Sequence, residues 1–173
     1  MMRTIRNPII FLALLYVGFV LVVLTTRHSL PERIATHFAA SGRPDGWMSR
    51  ESHLRFMMTF GFGFPLLVPV VVYCCRFLPV GLVNIPHRDY WLAPDRKGES
   101  MNFLFAHSLW LGCATVLFVT GCHWMVADAN RQSPPHLSMG NLLVVTGGFL
   151  AMLAVWIAML LRRFMRLPKA ANG

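Results

Sequence analysis

The sequence predicts an all-α integral membrane bundle of four transmembrane helices, with a structured extracytoplasmic loop between the first two. Three observations carry that reading. The chain is 55% hydrophobic and only 13% charged, where a soluble domain carries about 25% charge. Four apolar runs are each long enough for a hydrocarbon core roughly 30 Å thick. The runs are also too long and too unalternating for barrel strands, and an open sheet edge could not be satisfied in lipid. No repeat, low-complexity linker or soluble domain stands apart, so residues 1–173 read as one domain.

Pro8–Thr26 is nineteen residues without a charge, about 28 Å as a helix at 1.5 Å per residue. A signal-peptide core is shorter and ends in a small-residue cleavage site. This run ends in Arg27-His28, so it is expected to be an uncleaved first helix. Arg27–Arg55 is the signature loop. Ser29 and Glu32 fit a capping box, predicting a helical turn over Pro31–Ala35. Ala40–Gly46 is a turn cluster in which Gly42 and Gly46 can take positive φ. Trp47 then returns the chain to the membrane interface.

Phe56–Cys75 is the second helix, bent by Pro65 and Pro69 on one face, with Gly61 and Gly63 allowing a neighbour close. Pro79, Pro86 and Pro94 deny a long helix to Phe77–Ser100. Met101–Val126 and Met139–Leu161 are the third and fourth helices. The last carries a small-residue stripe, Gly147, Ala151, Ala154 and Ala158, of the kind used for close helix contact in membranes. The four cysteines, Cys74, Cys75, Cys113 and Cys122, show no CxxC or finger spacing and read as small hydrophobes.

The net charge of +9 sits at run ends and in loops, the pattern of membrane topology rather than of a nucleic-acid face. With the N-terminus inside, ten Lys and Arg lie inside and six outside. Lysine and arginine favour the cytoplasmic side, so both termini are expected there, with the signature loop outside and Asn84–Ser100 inside.

Leu30, Pro31, Ile34, His37, Phe38, Gly42, Pro44, Asp45, Gly46 and Trp47 form a dense pattern directly after the first helix. It resembles the signature of a bacterial domain of unknown function found in SdpI-like membrane proteins, the immunity proteins of the sporulation-delaying toxin system. Asn84–Arg96 also resembles a segment common among uncharacterised members. A departure is Ala35, where many members have a second proline. The resemblance implies a bacterial inner-membrane protein linked to peptide-toxin immunity or signal sensing.

His37 and Asp45 stand eight apart across the glycine turn, so the loop can fold back and bring them together. They read as a recognition pair for an external ligand or a pH-sensitive pair. The plainer alternative is that Asp45 caps the turn and His37 bonds a backbone carbonyl. With Gly42, Pro44, Gly46 and Trp47 they make the candidate ligand-binding loop. His28, His37, Asp45 and His53 could in principle supply metal ligands, but no i, i+4 pair or HExxH pattern supports it. No metal, cofactor or catalytic residue is therefore assigned. Asn84, Pro86, Arg88, Asp89, Tyr90 and Trp91 are either interfacial anchors or a docking site for a cytoplasmic repressor. His107, alone well inside an apolar run, reads as an interhelical hydrogen bond rather than a proton relay.

The expected function is non-enzymatic: sensing, or immunity to, a toxic peptide or envelope signal. An accessory or structural subunit of a larger complex is the alternative, and a metal-dependent membrane enzyme a distant third. The expected partners are the bilayer, a toxic peptide or a repressor, and further copies of the chain, but not nucleic acid.

Overall fold

A computed structural model of the chain describes residues 2–167. Four of its helices are long and apolar enough to cross a membrane: α1 (Met2–Thr26), α2 (Arg50–Cys75), α4 (Lys97–Ala129) and α5 (Met139–Met165). The chain is thus a multi-pass membrane protein. An antiparallel hairpin, β1 (Arg33–Phe38) and β2 (Pro44–Ser49), joins α1 to α2, and a short helix, α3 (Arg88–Trp91), lies between α2 and α4. Of the basic tail, Lys169 lies outside the described residues.

α4 is the central helix. Leu109, Cys113, Val116 and Val119 form one buried cluster with Leu12, Phe19 and Val23 of α1 and Met57 of α2. The inner face of α2 is a single line: His53, Met57, Gly61, Pro65 and Pro69 are all buried and four residues apart. Residues at that spacing share one helix face. Gly61 makes room for α1, because a Cβ there would sit 2.3 Å from the Phe19 ring. Gly63, expected to play the same part, faces open space. Pro69 has no N–H to give the Pro65 carbonyl, and that carbonyl lies against Gly112, 3.0 Å from where a Cβ would be. Pro69 thus takes the regular helical N–H partner from the Pro65 carbonyl, and Gly112 of α4 leaves that carbonyl room.

α5 packs on the other side of α4, through the Phe118 and Phe149 rings 4.5 Å apart and through Val145 against Gly121. His107 Nε2 lies 2.9 Å from the Trp156 carbonyl, and Trp156 Nε1 donates to the His107 carbonyl at 2.8 Å. His107 is thus the interhelical bond expected of it. The small-residue stripe does not serve the internal contact: Gly147, Ala151, Ala154 and Ala158 are all exposed.

Several boundaries differ from expectation. α2 begins at Arg50 rather than Phe56, because Ser49 caps it by accepting from the Ser52 amide at 3.2 Å. α4 runs from Lys97 to Ala129, beyond the apolar run at both ends. An apolar run marks the length sunk in lipid, and a helix can continue past it into water. The helical turn over Pro31–Ala35 is absent. Ser29 ends a 3-10 turn, its hydroxyl donating to the Thr26 carbonyl at 2.9 Å, and the chain then extends into β1. Burial explains the reversal: Ile34 and Ala35 are fully enclosed, and Leu30 and Ile34 pack on Ala127. Tertiary packing outweighs a local capping signal worth about 1 kcal/mol.

Candidate functional site

The hairpin closes the end of the bundle where α1 finishes, α2 starts and α4 finishes. Its register is irregular. Ala35 faces Trp47, His37 faces Gly46 and Phe38 faces Pro44, which leaves Thr36 and Asp45 outside the regular ladder. Bulges of this kind re-aim side chains. Here His37 Nδ1 and the Asp45 carboxylate meet in a short, solvent-facing contact. The fold-back read from the sequence occurs, and His37 takes the carboxylate as partner rather than a backbone carbonyl.

The glycines of the hairpin act differently from one another. Gly42 has φ +77, the left-handed conformation expected of it, and is buried against the loop after α4, where a Cβ would sit 2.7 Å from the Leu137 carbonyl oxygen. Gly46 does not have positive φ. It supplies space, since a Cβ there would lie 2.7 Å from His37 Cβ. Pro44 opens β2, a position that tolerates a residue without N–H. Trp47 is exposed on β2 with the Arg33 guanidinium over its ring at 5.4 Å.

Three anchors fix the hairpin to the bundle. The Asn130 side chain, at the end of α4, stands where a third strand would be. Its Oδ1 accepts from the Ala35 amide at 2.9 Å and its Nδ2 donates to the Ala35 carbonyl at 2.8 Å. The Leu137 amide donates to the Gly42 carbonyl at 2.9 Å. At the neck, the Arg50 amide donates to the Glu32 carbonyl and its guanidinium to the Leu30 carbonyl, both at 2.9 Å. A proline at position 35 would have no N–H for Asn130.

Beneath the hairpin lies a buried polar chain. The Thr26 hydroxyl is 2.7 Å from His123 Nε2, and His123 Nδ1 is 3.2 Å from His53 Nε2. Thr26 is bonded to the Val22 carbonyl at 2.8 Å, so its proton is already donated and it accepts from His123 Nε2–H. In the neutral pair His123 Nδ1 then accepts from His53 Nε2–H. The ring centroids are 5.3 Å apart, which with the short N···N distance sets the rings end to end rather than face to face. This chain ties α1, α2 and α4 at one level. Sequence reasoning missed it, because the three residues lie far apart along the chain.

At the other end of the bundle, Asn84, Pro86 and Asp89 are exposed. Arg88 pairs with Asp89 at 3.4 Å and donates to the Gly81 carbonyl at 3.1 Å. Tyr90 is covered by the Arg96 guanidinium at 4.2 Å. Trp91 is buried, its Nε1 donating to the Phe164 carbonyl at 2.9 Å. It therefore locks the end of α5 and is no part of a docking face. Among the described residues no three His, Cys, Asp or Glu side chains are grouped to hold a metal ion: His53 is committed to His123, apart from His37 and Asp45.

No curated protein and no solved structure matches the chain. A family model described as a domain of unknown function (DUF1648) matches residues 9–68, which run from α1 through the hairpin into α2.

Proposed function

We propose that the chain is a non-enzymatic sensing or immunity protein of the bacterial cytoplasmic membrane, with both termini inside and the hairpin outside. The hairpin meets a toxic peptide or another envelope signal. The carrying observation is an exposed His37–Asp45 pair on a hairpin held rigid from below by Asn130 and Leu137. A rigid mount lowers the ordering cost of binding. The resemblance of Leu30–Trp47 to the SdpI-like signature supports the toxin direction. The exposed Asn84, Pro86 and Asp89 are then the surface that reports to a cytoplasmic repressor.

His37→Ala and Asp45→Ala are each expected to cut protection in a deletion strain roughly tenfold or more, the loss typical of a recognition hot spot. Membrane abundance stays normal, since the pair is exposed and holds nothing else in place. Wild-type protection by both variants, at equal abundance, would remove the hairpin as the active element.

A second reading, a subunit of a larger assembly or of a homo-oligomer, is favoured by the exposed stripe of α5. Gly147, with nothing within 4 Å of a Cβ, is the position to fill. Gly147→Leu is expected to lower the crosslinked oligomer yield severalfold while the monomer folds as before. An unchanged crosslink pattern would leave that face to lipid.

A further inference from the structure

A groove of about 530 Å³ runs along α4 and α5, walled by Phe11, Trp110, Ala151, Val155, Trp156 and Met159. Its walls are almost wholly apolar, and Phe11, Trp110 and Met159 are exposed along it. From Ala151 to Met159 is eight residues, about 12 Å of helix at 1.5 Å per residue. One leaflet of a hydrocarbon core roughly 30 Å thick is about 15 Å deep. The groove thus has the length and polarity of one acyl chain in one leaflet.

Its end is not apolar. Met159 also lines a second hollow of about 460 Å³, where Arg162, Arg163 and Arg166 gather around Trp91 and Phe103. The Arg163 guanidinium lies 4.6 Å above the Trp91 ring and bonds Glu99 at 2.7 Å through Nη2. Glu99 is the acid at this site, so three cations face one carboxylate. A guanidinium has five N–H donors in a fork that suits phosphate oxygens. Arginines at a helix end are ordinary in membranes. Here they are placed by the fold, because Trp91 and the buried Phe164 fix the last turn of α5.

We propose that this groove and the arginine cluster adjoining it at Met159 bind an anionic phospholipid, its phosphate on Arg162, Arg163 and Arg166 and one acyl chain between α4 and α5. The site lies at the end of the bundle opposite the hairpin and does not rest on the function proposed for it. Basic pockets between transmembrane helices are a recurrent means of holding acidic headgroups. The excess of positive charge selects against a zwitterionic lipid, and the apolar groove selects against a free phosphate.

The test is native mass spectrometry of the full chain released from detergent after incubation with dioleoyl phosphatidylglycerol, dioleoyl phosphatidylcholine or glycerol phosphate. Phosphatidylglycerol is expected to remain bound at one per chain, while the other two are lost. Arg162→Gln and Arg166→Gln alter exposed residues outside the Trp91 stack, so folding is unaffected. Together they are expected to weaken retention about tenfold or more, the scale of a lost charged hydrogen bond. Ala151→Trp keeps every arginine, fills the groove and lowers retention as well. Arg27→Gln, at the opposite end, changes nothing. Equal retention of both lipids, undiminished retention in the arginine variants, or binding of glycerol phosphate alone as strong as that of the lipid would each overturn the proposal.

Discussion

Asn130→Asp is expected to release the hairpin from the bundle although the substitution hardly changes shape. Asn130 meets both polar groups of Ala35, a residue with no exposed surface. The aspartate keeps the acceptor for the Ala35 amide. It replaces the Nδ2 donor with a second oxygen, which faces the Ala35 carbonyl and the Val126 carbonyl that Nδ2 also reaches at 2.8 Å. A buried carbonyl without a donor costs about 1–3 kcal/mol, and the facing oxygens add repulsion. Asn130→Ala strips both partners and is expected to cost about 2–4 kcal/mol on the same scale. The signature of the mechanism is that aspartate is no milder than alanine. Limited proteolysis between Arg33 and Arg50 would show it as faster cleavage of both variants. An aspartate variant as resistant as wild type would mean that Asn130 is not what fastens β1.

This anchor was not legible in the sequence, and the reason is general. An asparagine at the end of a helix reads as an ordinary terminus, and nothing nearby announces a strand 95 residues earlier. The His53–His123 link is hidden in the same way, across 70 residues. The four helices were legible because lipid demands long uninterrupted apolarity, a signal written locally. The approach of His37 to Asp45 was legible because a glycine turn between them leaves the chain little other course. The capping box at Ser29 and Glu32 misled because burial of Ile34 and Ala35 is a tertiary demand. Trp91 misled because interfacial and buried tryptophans look alike in sequence, and only the Phe164 carbonyl distinguishes them.

Gly42→Val and Gly42→Asn together separate the two demands made on this position. Gly42 must hold φ +77 and also admit the Leu137 carbonyl, 2.7 Å from any Cβ. The left-handed conformation costs an L-residue about 1–2 kcal/mol, more for a β-branched one, and little for asparagine. The steric demand is the same for both, because the carbonyl is backbone and cannot swing aside. Overpacking of this kind costs about 1–3 kcal/mol. Valine is therefore expected to lose about 2–5 kcal/mol of hairpin attachment and asparagine about 1–3. Hydrogen exchange at the Leu137 amide, which donates to the Gly42 carbonyl, reads this directly, with roughly tenfold faster exchange for each 1.4 kcal/mol. If asparagine exchanges like glycine, the position serves backbone conformation alone and the loop after α4 is not a rigid support. If asparagine falls between glycine and valine, the contact itself carries part of the attachment. In that case both variants should lose the protection proposed for the hairpin while His37 and Asp45 remain intact, because a pair on a loosened hairpin is no longer held in one place.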